Sequence, residues 1–257
     1  MTMPLEILTI PCLSDNYAFL AHDAKSGETA LVDAPEAAPI LAALKSRRWT
    51  LSHVLLTHHH WDHVDALDDI LAAHPAKVIG AAQDAARLPK LDLAVNEGDS
   101  FKIGDEAVGV LDVSGHTVGH IAFHIPTSAA VFTADSLMAL GCGRLFEGTP
   151  DQMWESLSKL AALPEDTVVY SGHEYTQANG RFAETIEPGN ADLQARIADI
   201  ARARANGEST VPSSLSLELA TNPFLRPQSP EIRDRLGMQD APDVEVFAEV
   251  RRRKDNF

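Results

Sequence analysis

Apolar residues alternate with polar ones over Leu5 to Ile10, and short apolar runs follow over Tyr17 to Ala21 and Thr29 to Val32, with turn residues between them. That pattern predicts β-strands. Pro35 opens a stretch through about Arg47 in which Ile40, Leu41 and Leu44 fall at helical spacing. Val54 to Thr57 reads as a short buried strand and Lys77 to Gly80 as another. Between them, Asp62 is expected to cap a helix from His63 to about His74, with Val64, Leu67, Ile70 and Leu71 on its apolar face. From Ala94 to Thr133 the pattern is again mostly strand: Ser100 to Ile103, Ala107 to Val113, Ile121 to Ile125 and Ala130 to Thr133. A helix from about Gln152 to Ala162 and a strand from Thr167 to Tyr170 close this part.

Beyond His173 the pattern turns helical, over about Gln177 to Glu184, Ala191 to Ala205, Ser214 to Ala220, Pro230 to Leu236 and Val244 to Lys254. Gly and Pro punctuate these runs at Pro188-Gly189, Gly207, Pro212, Pro223, Pro227 and Pro242. The change of character divides the chain into two expected domains, 1–173 and 174–257.

Composition adds boundaries. At 257 residues, with 45% hydrophobic and 23% charged, the chain has the means for a sizeable core. A net charge of -16 repels phosphate backbones and argues against nucleic acid as a partner, while a small anion stays compatible if basic groups gather at one place. Cys12 and Cys142, outside any C-x-x-C pair, suit a reducing compartment, so a cytoplasmic location is expected. The opening residues lack a signal-peptide pattern, and no apolar run of about 18 residues exists, so no membrane partner is expected.

The chemistry concentrates in THHHWDH, residues 57 to 63. In an extended strand end His58, His60 and Asp62 share one side, His59 and Trp61 face the other, and His63 turns back toward the first group. Imidazole and carboxylate are natural ligands for zinc, iron or manganese. One ion cannot easily use all four groups; two adjacent ions can. Three further candidates follow strand-like runs: His116 in SGHTVGH, Asp135 in VFTAD and His173 in VVYSGHEYT. His59 and His120 read as supporting groups, and His22, His53, His74 and His124 as surface or paired core residues.

These motifs resemble the metallo-β-lactamase superfamily. SDNYAFL, GCGRLFEGT, HEYT, EPGNADL, TNPFLR and the terminal RRRKDNF extend the likeness over the whole chain, which more narrowly resembles the glyoxalase II (hydroxyacylglutathione hydrolase) family. The resemblance implies an α+β architecture, an αββα sandwich followed by a smaller helical substrate-binding domain. It implies two divalent metal ions per chain, zinc first and iron or manganese as alternatives. His58, His60 and His116 then hold one ion, Asp62, His63 and His173 the other, and Asp135 bridges both. A water between two such ions loses a proton near neutral pH, giving a hydroxide flanked by Asp62 and Asp135 as catalytic ligands. No Ser or Cys nucleophile is needed; Cys142, between Gly141 and Gly143, reads as a small packed residue.

A thioester suits such a centre, because a thiolate of pKa ~8.5 leaves without a strong acid. The implied substrate is an S-2-hydroxyacylglutathione, chiefly S-D-lactoylglutathione, cleaved to D-lactate and glutathione as the second step of methylglyoxal detoxification. Arg251 to Lys254 is the densest basic run, and Arg251 and Lys254 share a helix face on which one glutathione carboxylate could sit. The alternative for that run is a solvated helix end favoured by the dipole. Tyr175 and Arg144 match further family contacts, whereas Phe146 stands where some members carry a tyrosine hydroxyl. His63-Val64-Asp65-Ala66 replaces a small Ala-Gly-Gly run, so the helix start should differ slightly. A monomer is expected. Competing readings are a β-lactamase, a glutathione persulfide dioxygenase with a single iron, and a non-enzymatic metal-binding protein. A diiron flavoprotein is disfavoured, since it usually carries Glu where His60 stands.

Overall fold

The computed structural model describes residues 4–257. They form two compact units: one runs up to Asp112 and adds Val118–Ala134, the other joins Val113–Thr117 to Asp135–Phe257.

The first unit is built on two layers of strands. Strands β1 (Glu6–Cys12), β2 (Asn16–His22) and β3 (Thr29–Val32) pair antiparallel, and β3 then pairs in parallel with β4 (His53–Leu55), β5 (Lys77–Ala81) and β6 (Leu93–Val95) in that order. A parallel step needs a crossover, and helix α1 (Ala37–Arg47) supplies it between β3 and β4, burying Ile40 and Leu44 completely. Each such side chain contributes roughly 1.5–3 kcal/mol by leaving water. The second layer is a meander of β7 (Ser100–Ile103), β8 (Glu106–Asp112), β9 (Ile121–Ile125) and β10 (Ala130–Ala134). The layers meet face to face where the Phe19 ring lies 5.6 Å from Phe132 and His53 lies 6.4 Å from Phe101.

One expected helix is two. Helix α2 spans Trp61–Val64 and α3 spans Leu67–Ala73, with Ala66 off the helical path at φ -89° and ψ 3°. The cause is the strand next door: Ala34 donates to the His63 carbonyl at 2.7 Å and accepts from the Ala66 amide at 3.0 Å. The segment is thus tied to the residues after β3 and cannot run on as one helix. His60, and not Asp62, is the N-cap, and Asp62 sits in the first turn. Leu67 and Ile70 are buried as the periodicity requires, while Val64 and Leu71 are half-buried. Strand β4 also stops at Leu55, two residues before the expected end at Thr57.

The second unit is mainly helical. It holds the short pair β11 (Leu137–Met138) and β12 (Gly141–Cys142), helix α4 (Pro150–Ala161), strand β13 (Val168–Ser171), and helices α5 (Thr176–Ile186) and α6 (Ala191–Ala205). Strand β14 (Ser213–Ser214) pairs with β13, and α7 (Leu215–Thr221), α8 (Pro230–Leu236) and α9 (Asp243–Asp255) complete it. Helix α4 begins two residues before the expected Gln152, because Thr149 and Gln152 form a capping box with Pro150 at the first helical position. In its core Phe182 stacks on Phe224 at 6.0 Å, and Phe247 meets Phe224 edge-on at 6.1 Å. Glu218, fully buried on α7, accepts from Arg196, from the Ser213 hydroxyl at 2.6 Å, from the Leu140 amide at 2.9 Å and from Asn222 at 3.1 Å. Four donors satisfy this buried carboxylate, and it locks α7 to the turn between β11 and β12.

Candidate metal centre

In the first unit the donors gather where β4 gives way to α2. Ligand atoms of His58 and His60 lie within 4.8 Å of one another, as do those of His58 and His63. His63 Nε2 lies 3.8 Å from Asp62 Oδ2. Asp33, just past the end of β3, organises the group. Its Oδ1 accepts from the Thr57 amide at 2.9 Å, and its Oδ2 accepts from the Thr57 hydroxyl and from His63 Nδ1, both at 2.8 Å. The Thr57 hydroxyl in turn accepts from His58 Nδ1 at 3.0 Å. One carboxylate therefore sets the orientation of two imidazoles, directly for His63 and through a hydroxyl for His58, and assigns Nε2 as the atom each presents.

Asp62 has its own support. Asn16 donates through Nδ2 to Asp62 Oδ2 at 3.0 Å and to the Asp62 carbonyl at 3.1 Å. His59 points elsewhere, its Nδ1 against the buried Asp84 at 2.8 Å, and Trp61 is largely solvent-exposed. The His120 ring stacks on His58 at 4.6 Å and 11°, the supporting part expected of it.

In the second unit Asp135 is the hub. Its Oδ2 lies 3.5 Å from His116 Nε2 and 3.2 Å from His173 Nε2. His116 Nδ1 donates to the Arg144 carbonyl at 2.8 Å, which again assigns Nε2 as the presented atom. The loop carrying Arg144 is held close: Phe146 and Gly148 amides donate to the carbonyls of His116 and Gly115 at 3.2 and 3.1 Å. Gly143 makes this approach feasible, since a Cβ there would fall 2.0 Å from the Asp135 carbonyl oxygen and 2.9 Å from His116 Nδ1. The donors of both units are imidazole nitrogens and carboxylate oxygens, a set that fits zinc, iron or manganese.

The expected substrate contacts lie in the second unit. Tyr175 stacks on His173 with ring centroids 4.7 Å apart and planes 4° apart, and remains partly exposed. Arg144 and Phe146 are exposed, with the guanidinium 6.0 Å from the phenyl ring and that ring edge-on to His116 at 5.3 Å. Lys254 lies 5.2 Å from the Phe182 ring and 5.3 Å from Phe257. Burial, together with the charges of Arg251 and Arg181, pulls its ammonium down to about 8. Arg251 departs from the expectation of an open carboxylate clamp. It is buried, donating to the Cys142 carbonyl at 2.9 Å and to Asp255 at 2.8 Å, with its guanidinium 5.2 Å from the Phe224 ring. The Cys142 thiol is pushed up to about 11 by burial, so it stays protonated and is no nucleophile. Asp33 and Asn16 escaped the sequence reading. Asp33, directly after the strand Thr29 to Val32, carried the signal already used for Asp135, a carboxylate at a strand end.

Residues 16–173 match the metallo-β-lactamase superfamily, and residues 174–257 match the hydroxyacylglutathione hydrolase C-terminus. Two layers of strands carrying histidine and aspartate at their ends define the class, and the chain belongs to the metallo-β-lactamase superfamily. It is 68% identical over 255 residues to the hydroxyacylglutathione hydrolase of Ruegeria pomeroyi, covering 99% of this chain and 100% of that one. Within the superfamily it belongs to the hydroxyacylglutathione hydrolases. Among solved structures, ETHE1 from Myxococcus xanthus is 25% identical with a TM-score of 0.66 over 96% of each chain. TTHA1623, solved in a di-iron-bound form, is 26% identical with a TM-score of 0.61, over 86% of this chain and 100% of that one. Among the described residues, no helix is long and apolar enough to cross a membrane.

Proposed function

We propose that this chain hydrolyses the thioester of S-2-hydroxyacylglutathiones, S-D-lactoylglutathione foremost, to a 2-hydroxy acid and glutathione, the second step of methylglyoxal detoxification. The observation that carries this reading is the likeness to hydroxyacylglutathione hydrolases across both the sandwich and the helical tail, residues 16–173 and 174–257. In it, residues 1–173 form the catalytic domain and 174–257 the substrate-binding domain.

Two metal ions are the cofactors of this reading. His58, His60 and His116 hold one, Asp62, His63 and His173 the other, and Asp135 serves both. The donor chemistry supports it, as does the tethering of Nδ1 in His58, His63 and His116. Zinc is the first expectation, and a relative solved with two irons keeps iron beside it. When bound, a pair of such ions lowers the pKa of a coordinated water and polarises a substrate carbonyl. The chain's own residues do the rest. Asp33 and Asn16 hold the ligands in one orientation, so little reorganisation is needed on binding. Asp62 and Asp135 place negative charge beside the reacting centre. Tyr175, Arg144 and Lys254 bind the glutathione moiety, and the buried Arg251 anchors the segment before Arg144 through the Cys142 carbonyl. The thiolate leaves without a general acid, consistent with the absence of one from the proposed set.

A cytoplasmic monomer acting without nucleic acid or membrane completes the reading; two unpaired, buried cysteines and the net charge of -16 support it. The test is loss of thioester absorbance with purified protein. S-D-lactoylglutathione should be consumed, and EDTA or His58→Ala should abolish the reaction. One iron per chain with oxygen uptake on glutathione persulfide would instead support the dioxygenase.

A further inference from the structure

Two guanidiniums, the exposed Arg144 and the buried Arg251, share one anion. Asp255, at the end of α9, accepts from Arg251 Nη2 at 2.8 Å and lies 3.4 Å from Arg144 Nε through the same oxygen, Oδ1. Lys254 is its neighbour in the chain on α9, and the Asp255 charge favours that ammonium against the opposing charges of Arg251 and Arg181. Arg251 is only 6% exposed, and its Nε makes no hydrogen bond. A buried guanidinium needs a counter-ion, because an uncompensated charge in that setting is costly. Asp255 is the carboxylate that meets it. Through Nη1, Arg251 also grips the carbonyl of Cys142, two residues before Arg144. Asp255 therefore reaches Arg144 in two ways, directly at the guanidinium and through Arg251 at the backbone of Cys142.

We propose that Asp255 is a positioning residue for a carboxylate-bearing ligand: anchored by the buried Arg251, it holds the exposed Arg144 guanidinium in the arrangement that receives the glutathione moiety. The inference rests on the proposed glutathione thioester substrate. The partners of Asp255 are Arg144 and Arg251, neither of them a proposed metal ligand, so its loss acts on binding. Arg144 is mostly solvated, and without its tether it samples many rotamers that a ligand must then reselect.

The experiment compares two lactoyl thioesters on the metal-loaded enzyme: that of glutathione, and that of N-acetylcysteamine, which has no carboxylate. Asp255→Asn should raise KM for the glutathione thioester about tenfold, the size of one charge-assisted hydrogen bond, with kcat within about twofold. It should leave kcat/KM on the neutral thioester unchanged. Asp255→Glu, which keeps the charge, should recover most of the loss. An unchanged KM overturns the proposal. A lower KM also overturns it, since Asp255 would then compete with the substrate. Equal losses on both thioesters mark a merely structural role and overturn it as well. If Asp255→Asn does not fold, Arg144→Gln must give the same selective rise in KM. Calorimetric binding of glutathione reads the same cations without turnover. Should wild type hydrolyse no glutathione thioester, weaker glutathione binding in Asp255→Asn still upholds the proposal, and equal binding or none in wild type overturns it.

Discussion

Asp33 carries more of the site than its single charge suggests. It faces three donors at 2.8 to 2.9 Å, one from His63 and two from Thr57, which passes the constraint on to His58. Asp33→Asn replaces one acceptor oxygen by a donor and leaves either His63 or Thr57 facing an N–H. Loss of such a supporting contact typically weakens metal binding 10–100-fold, and competition with a chromogenic chelator will measure it. Lys254 carries a different prediction. With its ammonium titrating at about 8, it is charged below that pH and neutral above it. A neutral amine cannot attract a carboxylate, so KM for the glutathione thioester should rise between about pH 8 and 9 if Lys254 binds it. Lys254→Arg, which stays protonated, should flatten that rise in a KM profile taken from pH 6 to 9.5. The seven proposed metal ligands were legible because strand ends, histidine and aspartate coincide in THHHWDH, SGHTVGH, FTAD and SGHEYT. Asp33 went unread although it too is a carboxylate at a strand end, because the partners that give it a role, Thr57 and His63, lie 24 and 30 residues away.

Among the elements, Glu218 shows what holds the helical unit together. Arg196 on α6, Ser213 on β14 and the Leu140 amide all converge on its carboxylate. Glu218→Ala leaves the Arg196 guanidinium, itself 6% exposed, without a counter-ion. Breaking one side of a buried pair costs about 3–5 kcal/mol, and a denaturant titration should show that loss. A cost below about 1 kcal/mol would mean the network is not structural. The regular elements were legible from their periods: Thr29–Val32, Ser100–Ile103, Ile121–Ile125, Ala191–Ala205 and Pro230–Leu236 form as expected. Where expectation failed, a long-range tie overrode the local pattern. The apolar stripe from Val64 to Leu71 is continuous in sequence, yet Ala34 breaks it in two. The two-residue strands β11, β12 and β14 are too short to carry any period.

At the level of the whole molecule, a chain of net charge -16 is proposed to bind an anionic thiol carrier. The two facts are compatible because cations are concentrated locally: Arg144 and Arg251 meet the same oxygen of Asp255, and Lys254 is its neighbour in the chain. The central claim is that hydrolysis of a glutathione thioester depends on two metal ions held by His58, His60, Asp62, His63, His116, Asp135 and His173. The most direct test removes all metal and then restores it stepwise, counting ions per chain and S-D-lactoylglutathione turnover on the same sample. The account predicts no activity in the metal-free protein and full activity on approaching two ions per chain. Turnover that survives complete metal removal, or a loaded protein with one ion and no thioesterase activity, would contradict it.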